Sequence, residues 1–186
     1  MAAAGIDGFT LQSVADRAGV SAATLVKRFG SKHGLLVAID RRWIATIEAT
    51  YAQVIEPYSD PLDRLRAAAL WGFDDMDDRT RVVNQATALA ADLQDPTLRE
   101  LLAAGWGAMH DQLRRLAQVA IDAGRLPSAE SAEQVARLLF ALGEGTRLSW
   151  AVAPVGSLVT RAEQDVDALL EFLQRSPDPD GANGQR

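Results

Sequence analysis

The chain contains no cysteine, which excludes disulfides, thiolate nucleophiles and every cysteine-ligated zinc or iron-sulfur site. Histidine is almost as scarce: His33 and His110 are the only two, too few for a histidine-rich metal centre. No apolar run approaches the roughly 20 residues that span a bilayer, the longest conspicuous one being Leu35 to Ile39. The opening Met1-Ala2-Ala3-Ala4-Gly5 lacks the basic and apolar regions of a signal peptide, which predicts a cytoplasmic protein with no membrane partner. Neither a phosphate-cradling loop nor a dinucleotide fingerprint occurs. An acidic cluster of Asp74, Asp75, Asp77 and Asp78 has no histidine or second carboxylate group to complete a hard-metal site, and reads as a solvated helix end. The sequence therefore predicts no enzyme, no metal and no cofactor.

What is present is an ordinary soluble composition, 48% hydrophobic and 24% charged over 186 residues, enough for one compact domain or a small head on a larger body. The net charge of −6 is unevenly spread. Residues 1–43 carry six bases (Arg17, Lys27, Arg28, Lys32, Arg41, Arg42) against three acids, whereas the rest carries 13 bases and 22 acids. A basic head on an acidic body is the asymmetry of a chain whose head alone meets phosphate.

Helical periodicity runs through almost every segment past residue 9, and no stretch alternates long enough to propose a strand, so the fold class is all-α. Thr10 caps a first helix with Leu11, Val14, Ala15 and Ala18 on one face, and Gly19 ends it. Ser21 caps a second helix with Leu25 and Phe29 inward and Gly30 at its end, and Ser31 opens a third that runs to Glu56. Further helices are predicted at 61–76, 80–93, 97–123, 129–153 and 161–174, broken by Asp60-Pro61, Asp95-Pro96, Pro127-Ser128 and Pro154 with Gly156. The tail from Ser176 to Arg186, rich in Pro, Gly and Asp, is expected to be disordered.

The two short helices joined at Gly19-Val20-Ser21 have helix-turn-helix spacing. Ala15 is small where they cross, and Val20 is placed to plug the angle between them. Ala22, Ala23, Thr24, Lys27 and Arg28 turn away from the Leu25/Phe29 face. Short side chains and methyls there suit close approach to a major groove, and Lys27 can reach a guanine edge or a phosphate. The run Thr10-x4-Ala15-x2-Ala18-Gly19-Val20-Ser21-x2-Thr24-Leu25-x3-Phe29-x-Ser31-Lys32-x2-Leu35-Leu36 resembles the signature of the TetR family of transcriptional regulators. The resemblance implies that Thr10, Ser21 and Lys32 hold the DNA backbone while Gln12, Ala22, Ala23, Thr24 and Lys27 face bases. Lys32 also sits at a helix start, where its ammonium and the free N–H groups can meet one phosphate. Val26 stands where family members usually carry Tyr, so that phosphate hydrogen bond is lacking and Arg28 compensates by charge. The family's head also has a first helix of about four turns. Only Met1 to Ala4 precede the segment Gly5-Ile6-Asp7-Gly8-Phe9 that follows it, so this helix is expected to be largely missing and the apolar faces of Phe9, Leu11, Val14, Leu25 and Phe29 to be less covered.

The implied architecture is a DNA-binding head over 1–43, a ligand-binding and dimerisation body over 44–175, and the tail 176–186. Bulky Trp71, Phe73 and Met76 on an earlier helix, with Trp106, Met109 and His110, are candidate linings of an effector cavity. Segment 132–152 is apolar nearly all round and needs two burial partners. With the last helix it is similar to the family's two-helix dimer surface, assigned here to Val135, Leu138, Leu139, Leu142, Val166, Leu169, Leu170 and Leu173. The predicted function is a homodimeric repressor that leaves double-stranded operator DNA when a small hydrophobic or amphipathic effector binds. The alternative is a dimeric ligand-binding bundle with an impaired head.

Overall fold

The computed structural model describes residues 10–74, 76–128 and 131–175. The expected loss of the first helix, the role of Phe9, the disorder of the tail and the placement of Asp75 lie outside these residues. Among them are eight helices and no strand: α1 (Leu11–Ala18), α2 (Ala22–Phe29), α3 (Lys32–Ile55), α4 (Pro61–Ala69), α5 (Arg79–Asp92), α6 (Pro96–Asp122), α7 (Ala132–Val152) and α8 (Leu158–Arg175). The all-α expectation holds.

Local chemistry sets most of these boundaries. Thr10 Oγ1 accepts from the Ser13 amide at 3.0 Å while Ser13 Oγ accepts from the Thr10 amide at 3.1 Å, closing a reciprocal box at the start of α1. Asp60 accepts from the Leu62 amide at 2.8 Å ahead of Pro61, and Asp95 accepts from Thr97 and Leu98 ahead of Pro96's helix. Gly19, at φ 66°, ends α1 in the left-handed conformation that only glycine adopts without strain.

The residues form two compact units, each drawn from two stretches of chain: Met1–Ile47 with Asp78–Gly107, and Glu48–Asp77 with Ala108–Arg186. The first unit buries Ala15, Leu25, Leu35, Ile47, Val82 and Leu98. The second buries Tyr51, Leu65, Phe73, Leu113, Val135, Leu139, Trp150, Leu158, Val166 and Leu170. There α7 packs on α8, and α4 packs against both. Arg66 on α4 grips Asp167 on α8 with a two-pronged bond, Nε to Oδ1 at 2.5 Å and Nη2 to Oδ2 at 3.0 Å.

Three boundaries depart from the periodicity. The helix expected over 61–76 stops at Ala69, because Gly72 turns the chain at φ 85° and the Trp71 and Phe73 amides bond back three residues rather than four. α7 begins at Ala132 rather than 129, since Ser131 supplies the cap by accepting from the Gln134 amide. α8 begins at Leu158, three residues before the expected 161. Its start is held from a distance: Asp77 accepts from Ser157 Oγ at 3.0 Å and from the Leu158 amide at 2.6 Å. The acidic cluster is thus no mere solvated end, because Asp77 caps α8 and Asp78 caps α5 through the Thr80 amide at 2.8 Å. Among the described residues no group of acids or histidines is placed to hold a metal ion, and no helix is long and apolar enough to cross a membrane.

Candidate nucleic-acid interface and body site

All nine residues assigned to DNA fall in the first unit. Ser21 Oγ accepts from the Thr24 amide at 3.1 Å and shares a 2.9 Å hydrogen bond with Thr24 Oγ1, fixing the first turn of α2. Leu25 is buried and Phe29 half-buried, so Ala23, Thr24, Lys27 and Arg28 stand exposed on the remaining surface of α2, with Ala22 half-buried. The Arg28 guanidinium lies 5.4 Å from the centroid of the Phe29 ring, which holds its stem along the helix. Thr10 and Gln12 are exposed on α1, with Gln12 Nε2 donating to Asp16 at 2.7 Å. Lys32 opens α3 half-buried, beside Ser31, whose Oγ accepts from the Gly34 amide at 3.0 Å.

The α1–α2 crossing is as tight as the sequence suggests, with Ala15 wholly buried. Val20 does not plug it. Its amide bonds to the Ala15 carbonyl at 3.0 Å, so backbone closes the turn and the side chain stays 41% exposed. Ala18, placed on the inward stripe by periodicity, is exposed as well. One residue the motif reading passed over is Gly34: a Cβ there would collide with the Phe29 carbonyl, so only glycine permits this close return of α3 on the end of α2.

Of the six residues proposed to line an effector cavity, Trp106 belongs to the first unit and the other five to the second. Trp71, Phe73 and Met76 lie not on a helix but in the turn after α4, for the Gly72 reason given above. Met109 and His110 are half-buried on α6, and His110 Nε2 stands 3.6 Å from Glu133 Oε1. Phe73 is buried, and Trp71 makes an edge contact with Tyr51 at 4.9 Å between ring centroids.

Sequence reading did not find the group that organises this region. Arg147 of α7 lies 4.0 Å above the Phe73 ring, its side chain 12% exposed and its Nη1 donating to Glu144 Oε1 at 2.5 Å. Its Nη2 reaches the Trp71 carbonyl only at 3.5 Å, and its Nε is buried with no partner. Burial works against the Arg147 charge, and Glu144 offsets that only in part. Burial likewise pushes the Tyr51 phenol up, against the pull of Arg147. The available signal was an i, i+3 acid-base pair, Glu144 and Arg147, within the largely apolar second half of α7.

Of the eight residues assigned to the dimer, Val135, Leu139, Val166, Leu170 and Leu173 are buried within a single chain, Leu142 and Leu169 are half-buried, and only Leu138 is exposed. The exposed residues of α7 include Leu138, Ala141, Gly145, Leu148 and Val152, and those of α8 include Ala168 and Phe172. Leu148 is 59% exposed, Phe172 69% and Val152 77%.

A capped helix-turn-helix pair ahead of an all-helical body is the build of a one-component transcriptional regulator. Residues 1–39 match the family of bacterial regulatory proteins, tetR family, and residues 61–175 match the C-terminal region of BetI-type transcriptional repressors. The chain is 35% identical over 161 residues to the HTH-type transcriptional regulator BetI of Burkholderia cenocepacia (strain HI2424), covering 86% of this chain and 79% of that protein. A TetR-family regulator from Rhodococcus sp. shares the fold at a TM-score of 0.73 and 21% identity, over 93% of this chain and 92% of that one. A regulator from Saccharomonospora viridis, solved in complex with choline, does so at 0.73 and 18%, over 87% and 84%. The chain belongs to the TetR family of transcriptional regulators, with a BetI-type repressor body. It is a family of regulators rather than enzymes, as the sequence led us to expect.

Proposed function

We propose that this protein represses transcription as a homodimer, reading operator DNA with α2 and releasing it when a small molecule binds the body. The observation that carries the reading is the face of α2: Ala23, Thr24, Lys27 and Arg28 are exposed on a helix pinned at its start by Ser21 and on its inner side by Leu25. Short side chains let the helix axis come close to base edges, and the two cations then lie within reach of guanine or phosphate. Thr10, Gln12, Ser21, Ala22 and Lys32 complete the contact set.

Two heads on a two-fold dimer would meet half-sites about one helical turn, or a modest multiple, apart. The outward apolar residues of α7 and α8 support that dimer, because Leu148, Val152 and Phe172 are exposed among the described residues. The separation into a DNA-binding head over 1–43 and a body over 44–175 follows from these roles. That a small molecule binds the body is supported by the S. viridis regulator, which was solved in complex with one. To act, an effector must bind one of two body states more tightly than the other.

Electrophoretic mobility shift with DNA upstream of the protein's own gene tests the reading. Retardation by the parent, weakened in Lys27→Ala and Arg28→Ala, supports it. No retardation of that DNA, or equal binding by both variants, contradicts the assignment of α2.

A further inference from the structure

Arg66 and Arg147 are two partly buried arginines of the second unit, each reaching another element through its guanidinium, and they differ in one respect. In Arg66 the Nε and Nη2 edge is filled by the two oxygens of Asp167 at 2.5 and 3.0 Å. In Arg147 the same edge meets no acid: Nε has no partner and Nη2 has only the Trp71 carbonyl at 3.5 Å. Among the described residues, the carboxylate bonded to Arg147 is that of Glu144, and it sits on Nη1 instead. Parallel N–H groups on that edge match the spacing of two carboxylate oxygens. A buried N–H without an acceptor costs free energy that an incoming oxygen would recover.

The surroundings narrow the ligand further. The ring face of Phe73 is already occupied by the Arg147 guanidinium at 4.0 Å, so a quaternary ammonium finds there a cation rather than an open aromatic face. Gly72 borders Nη2 without a side chain: a Cβ on it would stand 3.4 Å from that atom. Trp71, whose carbonyl meets Nη2, is half-buried with its ring set edge-on against Tyr51, an apolar surface carried by the same residue.

We propose that Arg147 receives the carboxylate of a small effector on its Nε and Nη2 edge, with the apolar body of that effector against Trp71. This inference rests on the effector reading above and names its chemical class: an organic anion with an apolar body. The carboxylate displaces the Trp71 carbonyl from Nη2, which shifts the turn around Gly72.

Isothermal titration of the full chain with sodium octanoate, sodium benzoate, 1-octanol and choline chloride tests the class, with Trp fluorescence as a second readout. Octanoate or benzoate should bind at millimolar concentration or below, and the neutral alcohol and the cation should not. Arg147→Lys, which keeps the charge over Phe73 but loses the two-pronged edge, should weaken the anion about tenfold or more. Glu144→Gln should bind it as well or better, since a competing negative charge is gone. A structural role alone would lower the melting temperature of Arg147→Lys and leave its anion affinity unchanged, which overturns the proposal. Choline binding with no response to either anion also overturns it, while leaving an effector-responsive repressor intact. Operator binding by the ligand-free protein, measured on the same preparation, reads the regulator assignment separately.

Discussion

The six-membered ring of Trp43 on α3 lies directly across Gly105 on α6, so close that a Cβ on Gly105 would fall inside the ring's contact radius. Both residues belong to the first unit. Glycine here is a packing requirement rather than a turn signal, for it sits mid-helix where its own propensity is poor. Gly105→Ala should destabilise the protein by about 1–3 kcal/mol through overpacking. Thermal unfolding checks this, and Trp43→Leu in the Gly105→Ala background should recover part of the loss. An unchanged melting temperature in the single variant would refute the contact.

Gly34 makes a comparable demand on the head. Its missing Cβ leaves room for the Phe29 carbonyl, a backbone atom that cannot rotate away. Gly34→Ala should therefore push the end of α2 off α3 and cut DNA affinity about tenfold or more, since binding depends on the helix position to within an ångström. Dimer content by light scattering should stay as in the parent. Normal DNA binding by this variant would show that the turn relaxes freely.

How much of this could be read from the sequence depends on how far apart the partners lie. The head was legible because its signals are local: Thr10 with Ser13, Gly19, and Ser21 with Thr24 all act within one turn of chain. The early start of α8 was not, because its cap, Asp77, is 81 residues from the Leu158 amide it holds. Arg147 escaped for the same reason, its ring partner Phe73 coming from another element. The dimer residues were chosen for hydrophobicity, and hydrophobicity cannot tell Leu139, buried in its own chain, from Leu148, which faces out. A helix such as α7, apolar on two sides, carries both patterns superimposed.

That distinction yields a paired test. Leu139→Ala should cost about 2–5 kcal/mol of stability as a core truncation. Leu148→Arg should leave the melting of the monomer little changed and shift the chain from dimer to monomer in light scattering. Should Leu148→Arg remain dimeric at micromolar concentration, the outward face of α7 is not the interface.

The carboxylates predict opposite responses to acid in the two units. Partial desolvation works against the Asp77 charge, but the Ser157 hydroxyl and the Val159 and Leu158 amides outweigh it and hold the carboxyl below its ordinary range. The two-pronged bond from Arg66 does the same for Asp167. Each therefore stabilises the fold above the unfolded carboxylate value of about 3.9, and that stabilisation is lost as pH falls through the lower folded value. Asp92 and Asp40 run the other way: desolvation raises both, with Asp40 and Asp95 adding repulsion at Asp92. They take up protons in the folded state first, so stability rises as pH falls from their folded values toward the unfolded one. Melting temperature against pH should show a shallow gain on mild acidification followed by a loss in stronger acid. Asp92→Asn should raise the melting temperature at neutral pH and flatten the gain, whereas Asp77→Ala should lower it and weaken the acid limb. A gain that survives Asp92→Asn undiminished would contradict the assignment of this residue.

The central claim, that the exposed face of α2 reads DNA, is tested most directly by fluorescence anisotropy with the DNA upstream of the gene. The parent, Lys27→Ala and the body variant Arg115→Ala are to be compared across a salt series. The account predicts that Lys27→Ala weakens binding by about 1–3 kcal/mol if it meets a base edge, or lowers the salt slope by about one if it meets a phosphate. Arg115→Ala should match the parent in affinity and slope. Lys27→Ala indistinguishable from the parent at every salt concentration, with Arg115→Ala impaired, would contradict it.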